Sequence, residues 1–184
     1  MKKIIWSTLI LLTSISVYGQ GNFSKGDNVG SFGLGIGSSL GYNNGASASP
    51  GISLQLEHGI WPVDGPGIIS LGGYLGYKSF HYSYLTYDQD LNYTILGVRS
   101  AYHWNGIETT EWDLYGGLMF SYNIEDYSDN FPDDYYIERN FNSHFSLSLY
   151  LGSRYYFQKN LAGFAELGYG ISYLNLGIAY KFNQ

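Results

Sequence analysis

His144-Phe145-Ser146 sets an imidazole two residues from a hydroxyl. A histidine within hydrogen-bond reach of a serine can take its proton and make it a nucleophile, provided a third group orients the ring. Glu166 supplies a carboxylate further on, so His144, Ser146 and Glu166 are the candidate set for hydrolysis of an ester or amide. The same interval recurs at His81-Tyr82-Ser83, so spacing alone is a weak signature. A different chemistry resides in Glu57, Lys78, Arg99, Arg154, Glu166 and Lys181, ionisable residues standing among Gly and Ser. A third cluster lies at 124–142, where Glu125, Asp126, Asp129, Asp133, Asp134 and Glu138 alternate with Tyr127, Phe131, Tyr135 and Tyr136. Oxygen-rich loops can hold Ca²⁺, but the twelve-residue EF-hand spacing is absent. The plain reading is a solvated loop. A divalent ion bridging it to lipopolysaccharide, or a protein partner docking on its aromatics, are the alternatives. Gly33-x-Gly35-x-Gly37 is no nucleotide fingerprint, because no helix follows to receive a phosphate. No cofactor is expected.

The elements that must carry these residues have a period of two. From Val29 onward apolar side chains alternate with small or polar ones, and Gly is scattered through every candidate element, which disfavours helix. Strand-like runs fall at 29–41, 51–58, 68–80, 93–104, 112–123, 143–157, 161–169 and 174–182. The run 143–157 is the clearest, with Phe145, Leu147, Leu149, Leu151, Tyr155 and Phe157 against Ser146, Ser148, Tyr150, Gly152 and Arg154. Most runs exceed the roughly 9–11 residues that carry a tilted strand across a bilayer, whereas strands of soluble proteins average about 5–6. The apolar face ends repeatedly in Tyr, Trp or Phe, as an interfacial girdle does. The expected fold is therefore all-β: an eight-stranded antiparallel transmembrane up-and-down β-barrel. Outer connections are expected at 42–50, 81–92, 124–142 and 170–173, and inner ones at 59–67, 105–111 and 158–160.

That geometry assigns the second face to a narrow lumen. An eight-stranded barrel is just wide enough for side chains to fill. Buried charges must be paired, so Glu57, Lys78, Arg99, Arg154 and Glu166 are read as an internal salt-bridge network. A gated pore or proton path is the alternative, and so filled a lumen argues against a general porin, which takes roughly 16–18 strands. The same alternation turns His144, Ser146 and Glu166 inward, with Glu166 mid-strand and the His–Ser pair near the outer end.

Composition agrees. Of 184 residues 18% are aromatic and only 13% charged, against about 25% charged in an ordinary soluble domain. Yet no segment after the start has the roughly 18 consecutive apolar residues of a transmembrane helix. Cysteine is absent and the net charge is −6, which argues against nucleic acid as a partner. Lys2 and Lys3 precede the apolar run 4–17, and cleavage after Gly19 gives a signal peptide 1–19, an N-terminal segment 20–28 and a barrel 29–182.

Two stretches carry a resemblance. Phe164-Ala-Glu-Leu-Gly-Tyr-Gly170 and Leu176-Gly-Ile-Ala-Tyr-Lys-Phe182 resemble the end of the small outer-membrane β-barrel proteins of Bacteroidetes, themselves similar to OmpA/OmpX-type barrels. The resemblance implies that Gly177, Tyr180 and Phe182 form the last-strand signal read by the barrel-assembly machinery. It implies an outer-membrane location among lipid and lipopolysaccharide, with diverse functions. The His-x-Ser pair with a glutamate on the next strand also resembles small lipid A deacylases, although that family works on its lipid-facing side. Three functions follow: an envelope-integrity or adhesion barrel acting through its loops, a lipid A-modifying hydrolase, or a soluble periplasmic lipocalin-like binding barrel. The last requires apolar residues inward.

Overall fold

A strand with one apolar and one polar face can bury its backbone in lipid only if every N–H and C=O finds a partner on a neighbouring strand. The chain meets this requirement by closing on itself. The structure, a computed structural model, describes residues 23–37, 40, 47–84, 87–106, 109–129 and 143–182. Its strands are β1 (Asn28–Ile36), β2 (Ser47–Ala48), β3 (Gly51–Pro62), β4 (Gly67–Tyr84), β5 (Tyr87–Trp104), β6 (Trp112–Asp129), β7 (His144–Tyr156), β8 (Leu161–Gly168) and β9 (Leu174–Lys181). β2 is a two-residue clip on β4. The other eight form an antiparallel ring in sequence order, closed where Val29–Ile36 of β1 pairs with Lys181–Leu174 of β9. Gly177 sits at that seam opposite Gly33. A Cβ there would collide with the carbonyl oxygen of Phe32, so glycine is what allows the closing strands to approach.

The two faces separate as the alternation requires. Leu147, Leu149 and Leu151 are 70%, 64% and 70% exposed on the outer wall, while Ser148, Tyr150 and Arg154 beside them are buried. From Phe145 to Tyr155 the exposed apolar face runs about 33 Å along β7, or about 25 Å across a bilayer at a tilt near 40°. Exposed aromatics bound this belt. Tyr77, Tyr122, Phe145, Tyr169 and Tyr173 lie on the outer side, and Trp61, Trp104, Trp112, Tyr155, Tyr180 and Phe182 on the inner side. With apolar residues outward and charges inward, the lipocalin-like arrangement is ruled out.

Several expected boundaries move. β4 and β5 run to Tyr84 and from Tyr87, paired throughout, so 81–92 is a hairpin and not a loop. β6 continues to Asp129, still paired with β5, so only 130–142 of the expected third loop lies outside the described residues. Apolar alternation stops at the membrane surface, but ladder hydrogen bonds need no lipid and carry on into water. Conversely, β1 ends at Ile36 and Gly37 takes φ +71°, a left-handed turn out of the sheet. The inner turn after β3 shrinks to 63–66, with Gly65 at φ +135°. Residues 1–22, including the expected signal peptide, lie outside the described residues.

Candidate functional site

The lumen is built in three storeys. At the inner end Phe23, fully buried, enters from the N-terminal segment and packs among Val29, Ile68, Tyr156, Ala162, Phe164 and Ala179. The segment is stitched to the wall: Gly26 N–H donates to the Gly59 carbonyl, Gly59 N–H to that of Asp27, and Asn105 Nδ2 to that of Phe23. Lys181 Nζ lies 2.8 Å from Asp27 Oδ2, so this lysine fastens the floor. At the outer end the turn after β8 folds inward, and Ile171, 1% exposed, packs against a cluster holding Tyr74, Phe80, Tyr93, Ile95 and Met119.

Between these layers lie the charges. Arg99 Nη2 is 2.7 Å from Glu166 Oε2, and its Nε is 3.3 Å from Glu57 Oε1. Arg154 bonds Glu57 with one Nη and Asp113 Oδ2 with the other, the latter at 3.0 Å. Tyr150 accepts from Arg99 Nε at 3.1 Å, while Tyr115 donates to Glu166 at 3.2 Å. The Arg99 guanidinium stacks 3.9 Å from the Tyr150 ring centroid, and that of Arg154 lies 4.5 Å from Tyr115. Glu57, Arg99, Arg154 and Glu166 are thus brought together. Lys78 is not among them: it lies at the outer mouth and donates to the Gly37 carbonyl at 3.0 Å. The alternation that turns Lys78 inward says nothing about its height along the barrel. Asp113, Tyr115 and Tyr150 also join the network, contacts that alternation along one strand cannot show, because pairing across the lumen depends on strand stagger. A cavity of about 20 Å³, room for a single water, lies beside Arg99, Glu166 and Tyr150.

The candidate hydrolytic set does not assemble. His144 is exposed at the outer mouth, its Nε2 3.2 Å from Asn123 Nδ2 and its Nδ1 3.7 Å from Glu125. Glu166 pairs with Gly152, six residues down β7 from Ser146, or roughly 20 Å at the strand rise. A different Ser–His–Asp line does form. His103 Nδ1 is 2.8 Å from Asp113 Oδ1 and its Nε2 is 3.0 Å from Ser70 Oγ. Its hydrogen-bond order is that of a nucleophile relay. All three residues are at most 1% exposed, and Phe23 stacks on the imidazole at 3.9 Å and 14°. No substrate carbonyl reaches Ser70 there, so the line is part of the packed floor.

Beyond the belt, β4, β5 and β6 continue as a wall. β3 last pairs with β4 at Tyr77, and β7 first pairs with β6 at Asn123. Above those levels β4 runs seven residues further and β6 six, on the order of 20 Å of ribbon. Polar cross-strand pairs hold it: Tyr77 donates to Asn92 at 2.9 Å, Ser83 to Asp88 at 2.7 Å, and His81 meets Asp90 at 2.7 Å. Asp126 and Ser128 are exposed near its top. Among the described residues, the wall and not the lumen offers a surface to water.

The closed antiparallel ring has a counterpart among solved structures. The crystal structure of Ail, the attachment invasion locus protein of Yersinia pestis, superposes with a TM-score of 0.50 at 15% identity, covering 86% of this chain and 99% of Ail. The chain has the fold of an outer-membrane β-barrel. Ail in a phospholipid nanodisc matches at TM-score 0.47 and 15% identity over 86% of this chain and 100% of Ail. Ail in complex with the heparin analogue sucrose octasulfate matches at 0.46 and 17% identity over 86% and 99%. No protein-family description matches the chain, and no curated protein matches it in sequence. Tyr180 and Phe182 of the C-terminal pattern stand 48% and 58% exposed on the inner-side girdle, with Gly177 at the seam.

Proposed function

We propose that this barrel is a small non-porin protein of the bacterial outer membrane that acts as an interaction or adhesion surface. The observation that carries this reading is the hydrogen-bonded wall of β4, β5 and β6 standing above the aromatic girdle while the lumen is filled. A chain selected only to span a bilayer has no use for that extra ribbon. On this reading residues 1–19 direct export, and Gly177, Tyr180 and Phe182 present the last strand to the barrel-assembly machinery. Lipid and lipopolysaccharide then surround the belt, and the 124–142 region, with its acidic and aromatic residues, forms part of the contact surface.

The test is made in cells expressing the full chain or a variant in which 81–90 is replaced by a short Gly-Ser turn. Both should appear in the outer-membrane fraction as a band that runs faster unboiled than boiled. Attachment to immobilised matrix proteins or glycans should fall only in the trimmed variant. Equal attachment by both removes the wall from the function, and the absence of a heat shift removes the barrel itself. A lipid A hydrolase finds no support in the separation of His144 from Glu166. Mass spectrometry of host lipid A, unchanged on expression, is the result that accords with this.

A further inference from the structure

Among the described residues, Lys78 is a lumen-facing cation with no carboxylate in an ion pair with it. Arg99, Arg154 and Lys181 each lie within an ion pair, whereas Lys78, 2% exposed, donates to the Gly37 carbonyl at 3.0 Å and stands 5.5 Å from the Phe80 ring centroid. No carboxylate among the described residues comes within 4.0 Å of its ammonium. An ammonium carries three donor hydrogens, and one carbonyl uses one of them. A buried charge lacking its counter-ion is costly, so this position favours an anion.

The space for one adjoins it. β1 and β3 cease to pair above Gly35 and Gly51. Where they diverge, a cleft of about 390 Å³ lies between 35–37 and 48–50, with Lys78 and Phe80 along its inner wall. Ile36, 63% exposed on the lipid-facing side, forms its lip. Lys78 follows Tyr77 of the outer girdle, so the cleft lies at the depth of lipid headgroups. We infer that this cleft binds the phosphate group of an outer-leaflet lipid, with Lys78 as its charged donor and Ile36 against the apolar part of the same molecule. The inference rests on the membrane-spanning reading.

The full chain, folded in maltoside detergent, is titrated calorimetrically with dioctanoyl phosphatidic acid and, separately, with inorganic phosphate. Saturable one-to-one binding of the lipid is expected, with free phosphate much weaker. Lys78→Met should weaken lipid binding about tenfold or more, the effect of losing a charged hydrogen-bond partner. Lys78→Arg should retain it. Ala48→Trp, at an exposed rim position, should block the cleft without disturbing the lumen. Undiminished binding by Lys78→Met or by Ala48→Trp overturns the site, and so does free phosphate binding as tightly as the lipid. Each preparation is also run boiled and unboiled. An intact heat shift without lipid binding rejects this site alone, whereas loss of the shift in the wild type rejects the barrel reading beneath it.

Discussion

At the scale of single residues, this protein spends its ionisable groups in two different solvents. In the lumen, Arg154 joins Glu57 and Asp113 with all three at most 4% exposed. Arg154→Met should therefore cost about 3–5 kcal/mol, because Asp113 loses its cation and Glu57 loses one of the two arginines beside it, measured by urea unfolding of vesicle-inserted protein. Adding Glu57→Gln should restore part of that loss, because the residues are in direct contact and their effects are not additive. On the projecting hairpin the logic is that of water. The hydrogen bond from His81 to Asp90, reinforced by the charges of Asp90 and Asp88, raises the His81 pKa above the ordinary 6.5. A group raised on folding stabilises the folded form below its unfolded pKa, and that contribution is lost as pH climbs through the raised value. An NMR titration should place the His81 midpoint above 6.5 in the wild type and lower in Asp90→Asn, and an unchanged midpoint would remove the pair from the account. The inward direction of Glu57 and Arg154 was legible from alternation alone. Their contact was not, since 97 positions separate them and strand stagger decides who meets whom.

At the scale of elements, strand existence followed from period two, and strand ends did not. Apolar alternation marks where lipid begins and ends. It therefore stops short of β4, β5 and β6, whose upper thirds are held by ladder bonds and polar pairs. Hydrogen–deuterium exchange should show protected amides at 79–83 and 88–92, slower than an open loop of the same composition. The seam between β1 and β9 makes a sharper demand. Gly177→Val should prevent closure, since the added atoms meet the Phe32 carbonyl and the Phe164 ring, and the unboiled protein should lose its faster-running band. Of the N-terminal segment 20–28, which carried no strand pattern, the described residues 23–27 supply the floor. Phe23→Ala should destabilise by about 3–5 kcal/mol if the site does not collapse, read by the same urea titration.

At the scale of the whole molecule, the barrel is a sealed wall with a surface on one side. Phe23 closes one end, Ile171 the other, and the arginine–carboxylate layer fills the middle. Planar-bilayer recordings should accordingly show no steady conductance for the wild type, and a reproducible channel would overturn the filled-lumen description. The sequence by itself determined the class of fold, the inward and outward faces and the aromatic borders, because each depends on local alternation and on transfer of side chains between lipid, interface and lumen. Only the tertiary structure decided which charges pair, that Lys78 stands apart at the outer mouth, that His144 and Glu166 never meet, and that a histidine lies beneath a phenylalanine at the floor. Those facts depend on the height of each residue around a closed ring. Height is set by the stagger between neighbouring strands, a quantity that no single strand contains.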